Sequence, residues 1–171
     1  AWNQKNLFTG WVDIPLDVQG ASIDEASLKG SGRKKTRRPE NGECLEIQVA
    51  RAIELLNKSE RPVILAGNGI RLSGAKEDFL KLIGKLHIPV LLTWKTIDFL
   101  ADDDSFYFGR PGSIAHRGAN FVQQNSDWIA VIGARLDLAQ VGFDYPAFAR
   151  GAKKIVVDID PAEISKLYIE V

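Results

Sequence analysis

Arg61-Pro62-Val63-Ile64-Leu65-Ala66-Gly67-Asn68-Gly69-Ile70-Arg71 is the stretch on which the fold turns. Four apolar residues follow a proline and run into a Gly-x-Gly turn, after which Ser73 and Gly74 open a predicted helix. An apolar run ending in a glycine turn is how a buried parallel strand hands over to a crossover helix. Without a Cβ, the two glycines let the backbone pass close to a neighbouring segment or to a phosphate. The first amides of the following helix and its positive dipole end would face the same spot. The motif alone is common, so a tight strand-to-helix turn without a ligand stands beside the phosphate-binding reading.

Working outward, residues 43–58 carry apolar side chains at 45, 49, 52, 53 and 56, the spacing of an amphipathic helix. Residues 62–66 are the first core strand. A helix over 73–86 places Phe79, Leu80, Ile83 and Leu86 on one face, with His87 at its end near favourable carbonyl dipoles. Ile88-Pro89-Val90-Leu91-Leu92 is the second strand, its proline at the start where the missing amide is tolerated. Residues 93–112 read as irregular, 113–125 as a third helix and 128–132, with a core Trp128, as the third strand. Residues 134–151 are loop-like, Lys154–Asp160 is the fourth strand, and Pro161 begins a helical turn. Strands alternating with helices predict an α/β fold, a doubly wound and mainly parallel sheet with helices on both faces.

In such sheets ligands sit at the carboxyl ends of the strands. Those ends are Gly67–Arg71, Thr93–Lys95, Gly133–Arg135 and Asp158–Asp160, which brings glycine, hydroxyl, arginine and carboxylate groups to one edge. Asp158 and Asp160 serve equally well as a strand end and the N-cap of the next turn, and a metal-site reading is the weaker one because the pair has no evident third ligand. Asp102–Asp104 lack the spacing of a calcium loop. His116 has no serine or cysteine partner that would make a catalytic dyad. Trp94, just past the second strand, is placed to pack on a cofactor ring or on a neighbouring domain.

Residues 1–44 differ in character from the rest. Trp11-Val12-Asp13-Ile14-Pro15-Leu16 reads as one short strand ended by proline. Gly30-Ser31-Gly32-Arg33-Lys34-Lys35-Thr36-Arg37-Arg38-Pro39 has the composition of a basic linker. A nucleic-acid or targeting role for residues 33–38 is the competing reading, although nothing aromatic interleaves the basic run. The expected division is therefore 1–44 and 45–171.

Composition bounds the function. With 171 residues the chain is long enough for a full core. Its 22 basic and 22 acidic residues argue against a dedicated polyanion binder. The single cysteine, Cys44, rules out an internal disulfide and a cysteine zinc site and fits a reducing cytoplasm. At a helix start it reads as an inert residue, with some thiol reactivity open to it. No apolar run approaches the roughly 20 residues that span a bilayer. Methionine is absent, as expected of a piece of a longer protein.

Several of these motifs together resemble a known family. Trp11–Gln19 is similar to the end of the pyrimidine-binding domain of thiamine-diphosphate enzymes, and Arg61–Gly69 to the first strand of their central domain. Ile88–Thr93, Gly109–Asn120, Ile132-Gly133-Ala134-Arg135-Leu136-Asp137 and Val157-Asp158-Ile159-Asp160-Pro161-Ala162-Glu163 follow in the family's order. The nearest subgroup is the large subunit of acetolactate synthase, which acts in branched-chain amino acid synthesis.

The resemblance implies a Rossmann-like central domain within a three-domain parent. It also implies flanking pyrimidine- and pyrophosphate-binding domains, and a dimeric or tetrameric assembly. Thiamine diphosphate and magnesium would be held outside this chain, which has no Gly-Asp-Gly motif. On this basis no residue here is catalytic and none binds metal, and the chain alone turns nothing over. The parent would decarboxylate a 2-keto acid such as pyruvate and transfer the remaining unit to a second acceptor.

In flavin-containing members FAD lies across the strand ends of this domain. Carried over, Gly67, Asn68 and Gly69 with Arg71 would sit by the dinucleotide phosphates and Thr93 beside the cofactor. Arg135 would neutralise a phosphate, with Gly133 beside the cofactor, and Asp158 or Asp160 would reach the adenosine end. Two departures keep the flavin-free alternative open. Ser113-Ile114-Ala115 stands where flavin members have Met-His-Gly, and Leu138-Ala139 stands where they have a second aspartate and arginine. The rival from another class is a stand-alone nicotinamide-nucleotide binder, against which Leu72 occupies the place of the third glycine of Gly-x-Gly-x-x-Gly.

Overall fold

The structure, a computed structural model, describes residues 13–28 and 45–165. The chain divides into two compact units, Ala1–Glu43 and Cys44–Val171. In the first unit the expected strand at 11–16 is corrected: residues 13–15 have no regular structure, and α1 spans Leu16–Gln19. Pro15, at φ −54°, stands before the helix, and its carbonyl accepts the amides of Val18 and Gln19. A fixed φ and a free carbonyl suit a helix start better than a strand end. A 3-10 turn at Glu25–Ser27 follows, with the Asp24 carboxylate accepting the Ala26 N–H. The basic stretch 33–38, Trp11, Val12 and Cys44 lie outside the described residues.

The second unit carries α2 (Leu45–Asn57), β1 (Pro62–Ala66), α3 (Gly69–Leu72), α4 (Lys76–Leu86), β2 (Val90–Leu92), α5 (Arg117–Asn125), β3 (Trp128–Ile132), α6 (Leu138–Val141), β4 (Lys153–Val157) and α7 (Pro161–Ser165). All four strands are parallel, in the order β2-β1-β3-β4. Pairing is in register across the centre: Ile64 faces Val90 on one side and Ala130 on the other.

Because side chains alternate along a strand, this register sorts the apolar runs into two cores. Val63, Leu65, Leu91, Ile129 and Val131 point to one face, where Ala119 and Val122 of α5 and Phe148 cover them. Ile64, Ala66, Val90, Leu92, Trp128 and Ala130 point to the other, beneath Phe79 and Ile83 of α4 and Leu55 and Leu56 of α2. The sheet is thus doubly wound. Leu65, Val90, Leu91, Leu92 and Ile129 are fully buried, each worth about 1.5–3 kcal/mol of transfer free energy.

Differences from the sequence-based expectation fall at element ends. The helix expected at 73–86 is two helices, because Gly74 adopts φ +77° and stops α3, as glycine does beyond a helix C-terminus. His87 caps α4 at φ +54° with its ring edge-on to Phe106. β2 is shorter than expected, α5 begins at Arg117 rather than 113, and β4 ends at Val157. Residues 134–151 contain α6 and a 3-10 turn at Tyr145–Ala147. Tyr107 forms a parallel bridge to Val90, flanked by bonds from the Val90 amide to the Phe106 carbonyl and from the Phe108 amide to the Val90 carbonyl. This single bridge in a stretch read as irregular extends the sheet beyond β2.

Candidate functional site

The strand order reverses between β1 and β3. From β1 the chain moves outward to β2, then returns to the other side of β1 for β3. In an open parallel sheet the carboxyl ends at such a reversal splay apart and form the ligand crevice. Here the two turns at the reversal touch. A Cβ on Gly67 would stand 2.2 Å from Ala134 Cα and 2.3 Å from the Gly133 carbonyl oxygen, and one on Gly69 would stand 2.7 Å from Gly133 Cα. The Gly67 amide donates to Ile132 O at 2.8 Å and the Gly69 amide to Gly133 O at 2.9 Å. Of the two readings of the Gly-x-Gly turn, close approach to a neighbouring backbone is what these contacts show. Both amides are bonded within the protein, and α3 is a single four-residue turn opening at Gly69.

The remaining expected residues lie on either side of that contact. Toward β2, Arg71 donates through Nη1 to the Lys95 carbonyl at 2.6 Å and to Asn68 Oδ1 at 3.2 Å. Through Nη2 it pairs with the Asp98 carboxylate, and its guanidinium lies 4.9 Å from the Phe99 ring centre. The hydrogen bond from Arg71 holds the Asp98 carboxyl below its ordinary range despite some desolvation. Thr93 is buried and contacts Thr96 Oγ1 at 3.3 Å, while Thr96 donates to the Ala66 and Thr93 carbonyls. Asp98 and Thr96 were not singled out from the sequence. They sit in an irregular stretch where no periodicity marks them.

Toward β4, Gly133 (φ +59°), Arg135 (φ +62°) and Leu136 (φ +50°) take left-handed backbone in the turn after β3. For the two non-glycine residues this costs roughly 1 kcal/mol each. The turn leaves the Arg135 side chain largely exposed, with Nε 3.3 Å from a Glu163 carboxylate oxygen. Asp158 accepts the Asp160 N–H at 3.0 Å, and Asp160 accepts the Ala162 N–H at 2.9 Å. The two aspartates thus end β4 and cap α7, the capping role foreseen for them. Large apolar side chains stand exposed in the segments that follow the strands: Trp94 after β2, Leu138 in α6 and Phe143 beyond it, and Val157 and Ile159 at the end of β4.

An apolar groove of about 450 Å³ opens at the opposite, amino-terminal edge of the sheet, lined by Pro62, Val63, Pro89, Phe108 and Phe121 with Arg61 at its rim. Its polar neighbours are engaged in structure: the Asp127 carboxylate accepts the Glu60 and Arg61 amides, and Arg61 Nε donates to Asn125 O. The strand-end turns bring arginine, carboxylate and hydroxyl groups to the other edge of the sheet, and they are the candidate site.

A four-stranded, all-parallel sheet wound on both faces, with its order reversing between β1 and β3, defines a Rossmann-like α/β domain. The family described as "Thiamine pyrophosphate enzyme, central domain" matches residues 49–171, and the chain belongs to that family. It is 35% identical over 163 residues to a probable acetolactate synthase large subunit of Methanococcus aeolicus, covering 91% of this chain and 26% of the relative. The corresponding Methanocaldococcus jannaschii protein is 36% identical over 163 residues, with the same coverage. Acetolactate synthase isozyme 2 large subunit of Escherichia coli is 30% identical over 156 residues, covering 91% of this chain and 27% of the relative. The chain therefore spans about a quarter of the length of the curated relatives it matches. The stand-alone nicotinamide-binding alternative is not favoured. Among the described residues no helix is long and apolar enough to cross a membrane.

Proposed function

We propose that this chain is the central domain of an acetolactate synthase-like enzyme, and that its strand-end rim holds FAD. Thiamine diphosphate and magnesium would be carried by flanking pyrimidine- and pyrophosphate-binding domains in an oligomeric cytoplasmic parent. That parent would decarboxylate a 2-keto acid and transfer the remaining unit to an acceptor. The family match over residues 49–171 carries the domain assignment.

The dinucleotide reading rests on the donor set of the rim. Arg135 is held outward by a left-handed turn, exposed apolar side chains flank it, and buried Thr93 and Thr96 line the adjacent turn. A dinucleotide presents a pyrophosphate and flat ring systems, which pair with arginine and with apolar or aromatic surface. In this arrangement Gly67, Gly69 and Gly133 act by letting the two turns meet, and Asn68 and Arg71 act by bracing the β2 side. Arg135 would meet the pyrophosphate, and Asp158 or Asp160 a ribose hydroxyl.

The test is purification with FAD supplied, followed by gel filtration and a visible spectrum. Flavin absorption co-eluting with the protein, and lost in Arg135→Ala, supports the reading. A colourless protein removes FAD and leaves the domain assignment in place. Consumption of pyruvate by this chain alone, with thiamine diphosphate and magnesium, would overturn the assignment of turnover to other domains.

A further inference from the structure

The loop after the Tyr107 bridge is built as a strap across the strand ends. Gly109 lies beside the end of β2, its carbonyl accepting the Leu92 amide at 3.0 Å. Four residues on, the Ser113 amide donates to the Ala139 carbonyl at 2.8 Å, and Gln140 Nε2 donates to the Pro111 carbonyl at 3.2 Å. Ala139 and Gln140 belong to α6, which follows β3. Since β1 lies between β2 and β3, residues 109–113 cross from one flank of the reversal point to the other. The base of the loop is closed by the His116 amide on Arg110 O and by Arg110 Nη2 against His116 Nε2 at 3.2 Å.

One side chain fixes the middle of this strap. Asn120, on the first turns of α5, accepts the Gly112 N–H at 2.8 Å and donates to the Gly112 carbonyl at 3.0 Å. A carboxamide clamping both polar groups of one residue fixes the two peptides that flank it together. Gly112 adopts φ +132°, and a Cβ there would meet Ala139 O at 2.7 Å, so strap and α6 are in backbone contact at the clamped residue.

We propose that Asn120 is a positioning residue for the rim site, acting through the strap, which forms the wall of the crevice on the α5 side. The inference rests on the dinucleotide reading above and adds the element that shapes the site. A binding wall held in place before the ligand arrives spares the ligand the cost of ordering it. Releasing the strap therefore weakens binding without removing any group that touches the ligand.

The test titrates the whole chain with FAD, read by quenching of flavin fluorescence well below each variant's unfolding midpoint, where a loss of stability alone leaves affinity unchanged. Asn120→Ala is expected to weaken FAD by about tenfold or more. Asn120→Asp, which keeps the acceptor for the Gly112 amide but not the donor to its carbonyl, falls between. Asn125→Ala is the control: it removes a hydrogen bond to Phe121 O on the last turn of the same helix and leaves affinity unchanged. Hydrogen exchange at the Gly112 and Ser113 amides should rise in Asn120→Ala and not in Asn125→Ala. Equal FAD affinity in wild type and Asn120→Ala overturns the inference and leaves the dinucleotide reading standing. No uptake by the wild type overturns both.

Discussion

Replacing Gly67 with alanine tests the contact on which the reversal point is built. The new methyl would lie 2.2 Å from Ala134 Cα, 2.3 Å from Gly133 O and 2.5 Å from Ala134 N. All three are backbone atoms, so no flexible side chain can swing aside. Ordinary contact begins near 3.4 Å, and the turns after β1 and β3 must separate by about an ångström to reach it. That movement breaks or stretches two hydrogen bonds, Gly67 N–H to Ile132 O and Gly69 N–H to Gly133 O, at about 1 kcal/mol each. Overpacking of a rigid site adds about 1–3 kcal/mol. The sum is about 3–5 kcal/mol, which at this chain length lowers the thermal midpoint by roughly 8–15 °C. Urea denaturation followed by circular dichroism measures it. The internal control is Gly84→Ala in α4, where an added Cβ meets nothing within 4 Å. That change should raise stability by about 0.5–1 kcal/mol through helix propensity alone. A Gly67→Ala loss below about 1 kcal/mol would refute the packed-turn geometry.

Three further outcomes follow from named contacts. Asp127 accepts the amides of Glu60 and Arg61 at 2.8 and 2.9 Å; burial works to raise its pKa, but those amides outweigh it and the net shift is downward from 3.8. A depressed carboxyl contributes stability above its unfolded pKa and loses it as pH falls through the folded value, so Asp127→Ala should cost about 1–3 kcal/mol at neutral pH and flatten the acid limb of the stability–pH profile. Arg71→Ala should let the Asp98 carboxyl return upward toward its ordinary value, read by carboxyl-carbon NMR titration, since the Arg71 hydrogen bond is the largest influence holding it down. Asp160→Ala removes the acceptor of the Ala162 amide and should cost about 1 kcal/mol as a lost cap; a fall in FAD affinity on top of that would give Asp160 a ligand contact.

What was legible beforehand was whatever buried itself completely. β1 and β3 match their expected bounds, residues 62–66 and 128–132, because both strands are covered on two faces and read as unbroken apolar runs. Edges were harder. β4, half-covered at the sheet margin, ends at Val157 because the Asp158 side chain turns the backbone toward Asp160. The site divides in the same way. Its glycines, Arg135 and the two aspartates were marked by their position after strands. Their bonding was not: Gly67 and Gly69 spend their amides on the neighbouring turn, and Arg71 is occupied by Asp98 and Lys95. Asp98 and Asn120 meet partners through long-range pairing and loop closure, which no local periodicity records.

The most direct test is a two-dimensional amide NMR spectrum of the labelled chain with FAD added stepwise. Shifts should concentrate at Gly67–Arg71, Thr93–Thr96, Gly112–Ser113, Gly133–Arg135 and Asp158–Asp160, and leave Arg61, Val63 and Asn125 unmoved. Shifts gathered instead around the amino-edge groove, or none at any FAD concentration, would contradict a cofactor site at the reversal of the sheet.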